Sequence, residues 1–122
     1  MVKKITYNDI GIYINEAKKH GLGFCKSTIM HGYFVDNKLV AFGGMIIYKD
    51  KCVFKNFYVP LEYRGKGYFK KLFNYQYNIT KLLGLKKIEA SCTNMSINYF
   101  MQNNFKVIKT YKNYKKVCNE NI

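Results

Sequence analysis

The sequence predicts an α/β (α+β) chain built on a mixed, mostly antiparallel sheet, in the order β-α-β-β-β-α-β-α-β-β. Three observations lead there. Two tight-turn signals, Asp36-Asn37-Lys38 and Asp50-Lys51, separate three apolar, strand-like runs, which is the pattern of an antiparallel meander. A long stretch with helical hydrophobic periodicity follows the third run and leads to a fourth. A strand–helix–strand unit of this kind joins parallel neighbours by a right-handed crossover, so one strand pair in the sheet runs parallel.

Element by element, Lys3 to Thr6 reads as a short first strand. Asn8 or Asp9 caps a helix in which Ile10, Tyr13, Ile14 and Ala17 recur at i, i+3, i+4 and i+7, and Gly21 and Gly23 stop it. His31 to Val35, Leu39 to Tyr48 and Cys52 to Val59 form the meander. Pro60 ends it, because proline has no N–H to give a central ladder. A helix from Tyr68 to Leu83 then sets Phe69, Leu72, Phe73, Gln76, Ile79 and Leu83 on one face, with Lys70, Lys71, Asn74 and Asn78 off it. Gly84 closes that helix. Lys86 to Thr93 alternates as a strand, Met95 to Asn103 makes a short helix, and Phe105 to Lys109 with Asn113 to Cys118 forms a last hairpin.

A length of 122 residues fits one domain spanning positions 1–122. The apolar share of 48% and aromatic share of 17% supply a core and exclude a disordered chain. No apolar run approaches the ~18 residues of a membrane span and no signal-peptide pattern opens the sequence, so a cytoplasmic protein with no membrane partner is expected. Cys25, Cys52, Cys92 and Cys118 are spread too widely for a zinc pattern or a compact disulfide framework. They read as buried or half-buried thiols in a reducing compartment, and no metal is expected. His20 and His31 stand alone and read as structural. Oligomeric state is left open.

The net charge of +14 comes from 21 basic residues, of which Arg64 is the only arginine. Abundant Lys, Asn, Ile and Tyr match a bias toward AT-rich codons, which would explain the charge without function. The alternative is attraction to a polyanion such as CoA, a nucleic acid or an acidic protein.

Chemistry concentrates in the segment from Phe57 to Phe73: strand, proline, Arg64-Gly65-Lys66-Gly67, amphipathic helix. A helix start exposes unpaired N–H groups and partial positive charge, and glycines let the backbone close on a phosphate. Arg64 and Lys66 add charge at the same place. The other reading is an ordinary strand-to-helix turn with solvated basic residues.

The run Val59-Pro60-Leu61-Glu62-Tyr63-Arg64-Gly65-Lys66-Gly67 resembles the CoA-binding motif of the GNAT N-acetyltransferase superfamily, Arg/Gln-x-x-Gly-x-Gly/Ala between the fourth strand and its helix. Arg64 and Gly67 fill the first two specified positions, while Phe69 stands where a small residue is usual. The resemblance implies a splayed parallel strand pair and a CoA pyrophosphate held at the turn formed by Arg64, Gly65, Lys66, Gly67, Tyr68, Phe69 and Lys70. It further implies pantetheine paired with the main chain of Phe57, Tyr58 and Val59.

The stretch Glu89 to Phe105 resembles the family's C-terminal motif, with Asn94 at its asparagine and Phe105 at its final phenylalanine. Asn104 replaces the usual glycine, and asparagine tolerates a left-handed conformation. The likeness covers Leu39 to Tyr114. It implies that Asn94 and Phe100 adjoin the cofactor, with Phe100 at the usual tyrosine position beside the thioester sulfur, where it supplies packing and water exclusion. Tyr99, its neighbour, and Tyr114 are the hydroxyls that could protonate the departing thiolate; water is the alternative.

An amine acceptor must lose a proton before it attacks a thioester, since a lysine amine has a pKa of ~10.4. The chain has seven carboxylates, and only Glu89 lies on a predicted central strand. Five residues before Asn94, it matches the glutamate proposed as base in ribosomal-protein N-terminal acetyltransferases. The alternative is a glutamate on a solvent face paired with a lysine. The expected function is transfer of acetyl from acetyl-CoA to an amine on a protein, a small molecule or a nucleic acid. So few carboxylates argue against polyamine or aminoglycoside acceptors, and the positive charge suits an acidic protein or nucleic-acid partner. Two other readings stand: a non-catalytic basic module that binds RNA or DNA through Arg64 to Gly67 and surface tyrosines, and a GNAT fold that binds CoA without turnover.

Overall fold

The computed structural model describes residues 1–19, 28–93 and 96–122. The expectations for His20, Gly21, Gly23, Cys25, Asn94 and Met95 lie outside the described residues. Among the described residues seven strands form one sheet: β1 (Val2–Ile5), β2 (Ile29–Val35), β3 (Lys38–Ile47), β4 (Cys52–Tyr58), β5 (Ile88–Cys92), β6 (Lys106–Thr110) and β7 (Lys115–Asn119), in the spatial order β1-β2-β3-β4-β5-β7-β6. Every neighbouring pair is antiparallel except β4 and β5. The mixed sheet with one parallel pair is the one the sequence predicts.

The first helix is broken in two, α1 (Tyr7–Ile10) and α2 (Tyr13–Lys19), because Gly11 turns the chain at φ 56°. Its cap is Thr6 and not Asn8 or Asp9. Asp9 sits three positions into the helix and its carboxylate accepts the Thr6 backbone N–H at 2.7 Å, satisfying a donor the helix start would otherwise leave orphaned. Ile10 and Ala17 are buried, and Tyr13 and Ile14 pack with them in one cluster containing Ile5, Met30, Phe42 and Tyr58.

The crossover helix α3 (Tyr68–Leu82) buries Leu72, Phe73, Gln76 and Thr80. Phe73 meets Phe54 of β4 edge-on at 5.6 Å, within a core that also holds Met45, Ile88, Ala90, Phe100 and Phe105. Gln76 donates to the Gly43 carbonyl at 3.1 Å and lies 3.0 Å from His31 Nδ1, so a polar pair fastens the helix to the meander. Burial lowers the His31 pKa, which keeps the ring neutral and structural. Leu83, expected on the buried face, is 53% exposed, since it caps the helix just before Gly84 turns the chain away at φ 77°.

The short helix α4 (Ile97–Gln102) and the final hairpin follow. The hairpin strands begin later than the alternation predicts, Asn104 having taken a left-handed φ of 69° before β6 starts. Cys52, Cys92 and Cys118 are buried free thiols, and burial pushes Cys52 to about 11 and Cys92 to about 12. No helix among the described residues is long and apolar enough to cross a membrane.

Candidate active site

The parallel pair is short. β4 and β5 match only at Cys52 with Ile88, Val53 with Glu89 and Phe54 with Ala90, after which the two strands part. The cause is local to β4. Phe42 pairs with Tyr58 but Gly44 pairs with Lys55, so β4 carries one residue more than β3 over this step. Asn56 absorbs the bulge at φ 59°, a conformation asparagine accepts more readily than most residues. On β3, Gly43 leaves room for the Phe57 ring, whose nearest carbon would lie 2.7 Å from an added Cβ.

Two clefts open at the fork. One, of about 290 Å³, is walled by residues 57–59, by the turn residues Tyr63, Arg64, Gly65 and Gly67, by Tyr68 and Phe69 of α3, and by Thr93, Ser96 and Tyr99. The other, of about 340 Å³, lies between Ile46 of β3, Tyr48 just after it, residues 53–57, Ser91 of β5, Phe100 and Tyr114. Phe57, Thr93 and Ser96 line both, so the clefts adjoin across these three residues.

The turn beside the first cleft is an open anion cradle. A 3-10 turn, Leu61–Tyr63, follows Pro60. Gly65 and Gly67 then take left-handed φ values of 79° and 81°, and beyond their chain neighbours no atom of the described residues comes within 4 Å of where a Cβ would stand. Gly67 caps α3 without a side-chain hydrogen bond, and no acidic residue occupies the first turn, so the helix-start N–H groups have no local acceptor side chain. Arg64 turns inward: its Nε–H donates to the Val59 carbonyl at 2.8 Å, and its buried Nη2 has no hydrogen-bond partner among the described residues. An uncapped helix start, an orphaned guanidinium nitrogen and an unpaired stretch of β4 fit the pyrophosphate and pantetheine of CoA.

Of the residues the sequence assigns to a cofactor, Phe57, Tyr58, Val59, Arg64, Gly65, Gly67, Tyr68 and Phe69 come together around this cleft. Tyr58 offers main chain there, because its hydroxyl is committed to Glu16 at 2.6 Å; burial and that bond push its pKa to about 12. Phe69 meets Tyr99 edge-on at 5.0 Å and Phe57 at 5.3 Å, so its bulk fills the ground between helices. Lys66 and Lys70 are exposed and are not among the described lining residues.

The catalytic expectations separate. Tyr99 lines the turn-side cleft, and burial raises its pKa, which keeps the hydroxyl protonated at neutral pH. Phe100, 2% exposed, sits among Phe69, Phe73 and Phe105 and reaches the second cleft. Tyr114 lines that second cleft too, with its ring stacked on Tyr111 at 4.5 Å. Glu89 is not brought to either cleft's described lining. It sits opposite Val53 on the closed side of the fork, with the Lys51 and Lys87 ammoniums each 3.2 Å from Oε2 and Lys116 3.0 Å from Oε1. Burial alone would raise its pKa, but the lysines outweigh burial and hold the carboxyl at about 2. A carboxylate so stabilised has little tendency to take a proton.

Sequence reasoning missed Asn56, Thr93 and Ser96. An asparagine inside an otherwise apolar strand run is the signal that could have flagged a bulge.

No protein-family model and no curated protein matches the sequence. Solved structures do. The PaiA N-acetyltransferase of Thermoplasma acidophilum, in complex with coenzyme A, superposes with a TM-score of 0.70 at 22% identity over 77% of this chain. The chain spans 61% of that protein's length. The ribosomal-protein-S18-alanine N-acetyltransferase of Escherichia coli gives a TM-score of 0.78 at 10% identity, over 100% of this chain and 94% of its own. The fold is that of the GNAT acetyltransferases. A GNAT family acetyltransferase of Elizabethkingia anophelis with acetyl-CoA bound adds a TM-score of 0.74 at 10% identity, over 98% of this chain and 97% of its own. Within the GNAT fold the forked pair β4 and β5 and the turn before α3 are the features that make this chain's clefts.

Proposed function

We propose that this chain transfers the acetyl group of acetyl-CoA to an amine, at the place where the two clefts adjoin. The observation that carries the reading is the parting of β4 from β5 directly beside an uncapped, glycine-shaped helix start. Acetyl-CoA supplies the activated acyl group. The turn at Arg64, Gly65 and Gly67 and the first N–H groups of α3 bind its pyrophosphate, and the free edge of β4 aligns its pantetheine. The aromatic wall of buried Phe100 and half-buried Phe57 and Phe69 excludes water from the thioester.

The amine enters from the second cleft. Its nitrogen forms the new C–N bond at the acetyl carbonyl as the C–S bond breaks, and the sulfur leaves with the electron pair. Tyr99 holds a proton on the cofactor side and donates it to that sulfur. The amine's surplus proton goes to water, because among the described residues no carboxylate lines either cleft. Glu89 has a structural part in this reading: it ties β5 to the chain on either side.

The charge of +14 favours an acceptor borne by an acidic protein or a nucleic acid, and a cytoplasmic setting, where acetyl-CoA is consumed, belongs to the same proposal. The test is a panel of amines incubated with acetyl-CoA while free CoA thiol is detected. Amine-dependent thiol release is expected. Binding of acetyl-CoA without release by any amine would leave a CoA-binding fold that does not turn over.

A further inference from the structure

We propose that the acceptor is an amine carrying its own oxyanion, a carboxylate or a phosphate, and that Lys55 and Asn56 select for it; this rests on the acetyl-transfer reading. The second cleft is built for negative charge. Lys55 is in its wall, next to Asn56. Asn56 is 8% exposed, and its Nδ2 donor has no hydrogen-bond partner among the described residues. A buried amide donor left unpaired is costly to the fold, and a bound oxygen relieves that cost.

The surroundings have the same sign. All of the chain's carboxylates belong to described residues, and none lines this cleft. The nearest along β5 is Glu89, two residues before the lining residue Ser91, and three lysines surround it. Lys116, one of the three, is the register partner of Ser91 itself. Even with Glu120 4.0 Å from Lys87, three cations against two anions leave net positive charge along β5 beside Ser91, which disfavours an ammonium and favours an oxyanion.

That charge also serves the reaction. A cation beside a bound ammonium disfavours the charged form, so Lys55 helps the amine shed its proton where no carboxylate base stands. A polycationic acceptor gains nothing here. A zwitterionic one is held by its oxyanion while its amine is pushed toward neutrality.

The experiment compares kcat/KM for an amino acid, O-phosphoethanolamine and an uncharged alkylamine of similar size, in the wild type and in Lys55→Gln, Lys55→Arg and Asn56→Asp. Asparagine and aspartate share tolerance of a positive φ, so Asn56→Asp keeps the bulge while replacing the donor by a carboxylate. Wild type should prefer one or both oxyanion-bearing amines. The preference over the alkylamine should fall at least ~10-fold in Lys55→Gln and Asn56→Asp and survive in Lys55→Arg, as expected for loss of a charge-assisted contact. The better of the two anionic acceptors identifies the oxyanion as carboxylate or phosphate. Acetylation of the alkylamine alone, or an unchanged preference in the variants, overturns this inference and leaves acetyl transfer standing. No acetylation of any amine overturns both.

Discussion

Arg64 Nε–H reaches back five residues to the carbonyl of Val59 at 2.8 Å, and that bond ties the glycine turn to the end of β4. The guanidinium carbon also lies 5.5 Å from the centre of the Tyr58 ring. The sequence presents Arg64 as a surface cation awaiting a phosphate. The structure gives it two jobs, since the same group that braces the turn has a buried Nη2 left to bind with. Arg64→Ala should therefore raise the Kd for CoA by about 10-fold or more, the scale of one lost charge-assisted hydrogen bond. Lys70→Ala, on an exposed side chain outside the cleft, should change it by less than about 3-fold at moderate salt. Isothermal titration of CoA into both variants decides the order.

Glu89 makes the sharpest acid-stability prediction. Its carboxyl is held at about 2 in the folded chain against an ordinary 4.5. A depressed folded pKa contributes stability that is complete above about pH 4.5 and drains away as the pH falls toward 2. Glu89→Gln removes the one carboxylate that three lysines share, with only the exposed Glu120 left 4.0 Å from Lys87. It should cost about 2 kcal/mol at neutral pH, discounted from a fully buried pair because the lysines are partly solvated. Urea melts between pH 2 and pH 7 should show a flatter acid limb in the variant. Its kcat/KM at pH 8 should stay within about 3-fold of wild type, whereas a loss of about 10²-fold would make Glu89 the base after all.

Tyr99 and Phe100 point to different clefts, and substitutions at the two should differ in kind. Tyr99→Phe removes the hydroxyl of a residue that lines the turn-side cleft and should lower kcat by about 10-fold or more with KM for the amine little changed. Phe100→Tyr forces a hydroxyl into a cluster of Phe69, Phe73 and Phe105 and should destabilise by roughly 1–3 kcal/mol without raising kcat. Stopped-flow turnover and thermal melts on the two proteins separate a chemical loss from a packing loss. A faster Phe100→Tyr enzyme would show that a hydroxyl at position 100 reaches the leaving sulfur, and would take the acid's role away from Tyr99.

How legible each part was in the sequence follows from how local its cause is. The meander, the crossover helix and the glycine turn rest on turn chemistry and periodicity within a few residues, and the structure has them where the sequence puts them. The left-handed Asn104 was legible for the same reason. Gly11, which breaks the first helix, is absent from the sequence reading because Ile10, Tyr13, Ile14 and Ala17 keep helical spacing straight across it. Glu89 illustrates the other limit. Its place on β5 follows from alternation, yet its partners Lys51, Lys87 and Lys116 arrive from the β3–β4 turn, the approach to β5 and β7. Only the folded sheet brings these three together, so whether the carboxylate is free or neutralised could not be read from spacing. The second cleft was hidden for a related reason: its walls come from β3, β4, β5, α4 and the loop before β7.

The central claim is that acetyl-CoA occupies the fork between β4 and β5, and the melting temperature tests it most directly. A ligand present at a hundredfold excess over its Kd adds about 2.7 kcal/mol to stability, enough to raise Tm by several degrees in a chain of this size. Saturating acetyl-CoA should produce that rise in the wild type and a smaller one in Arg64→Ala at the same concentration. An unchanged wild-type Tm, together with tight, salt-sensitive binding to RNA or DNA, would contradict the account and make the chain a basic nucleic-acid-binding module on a GNAT fold.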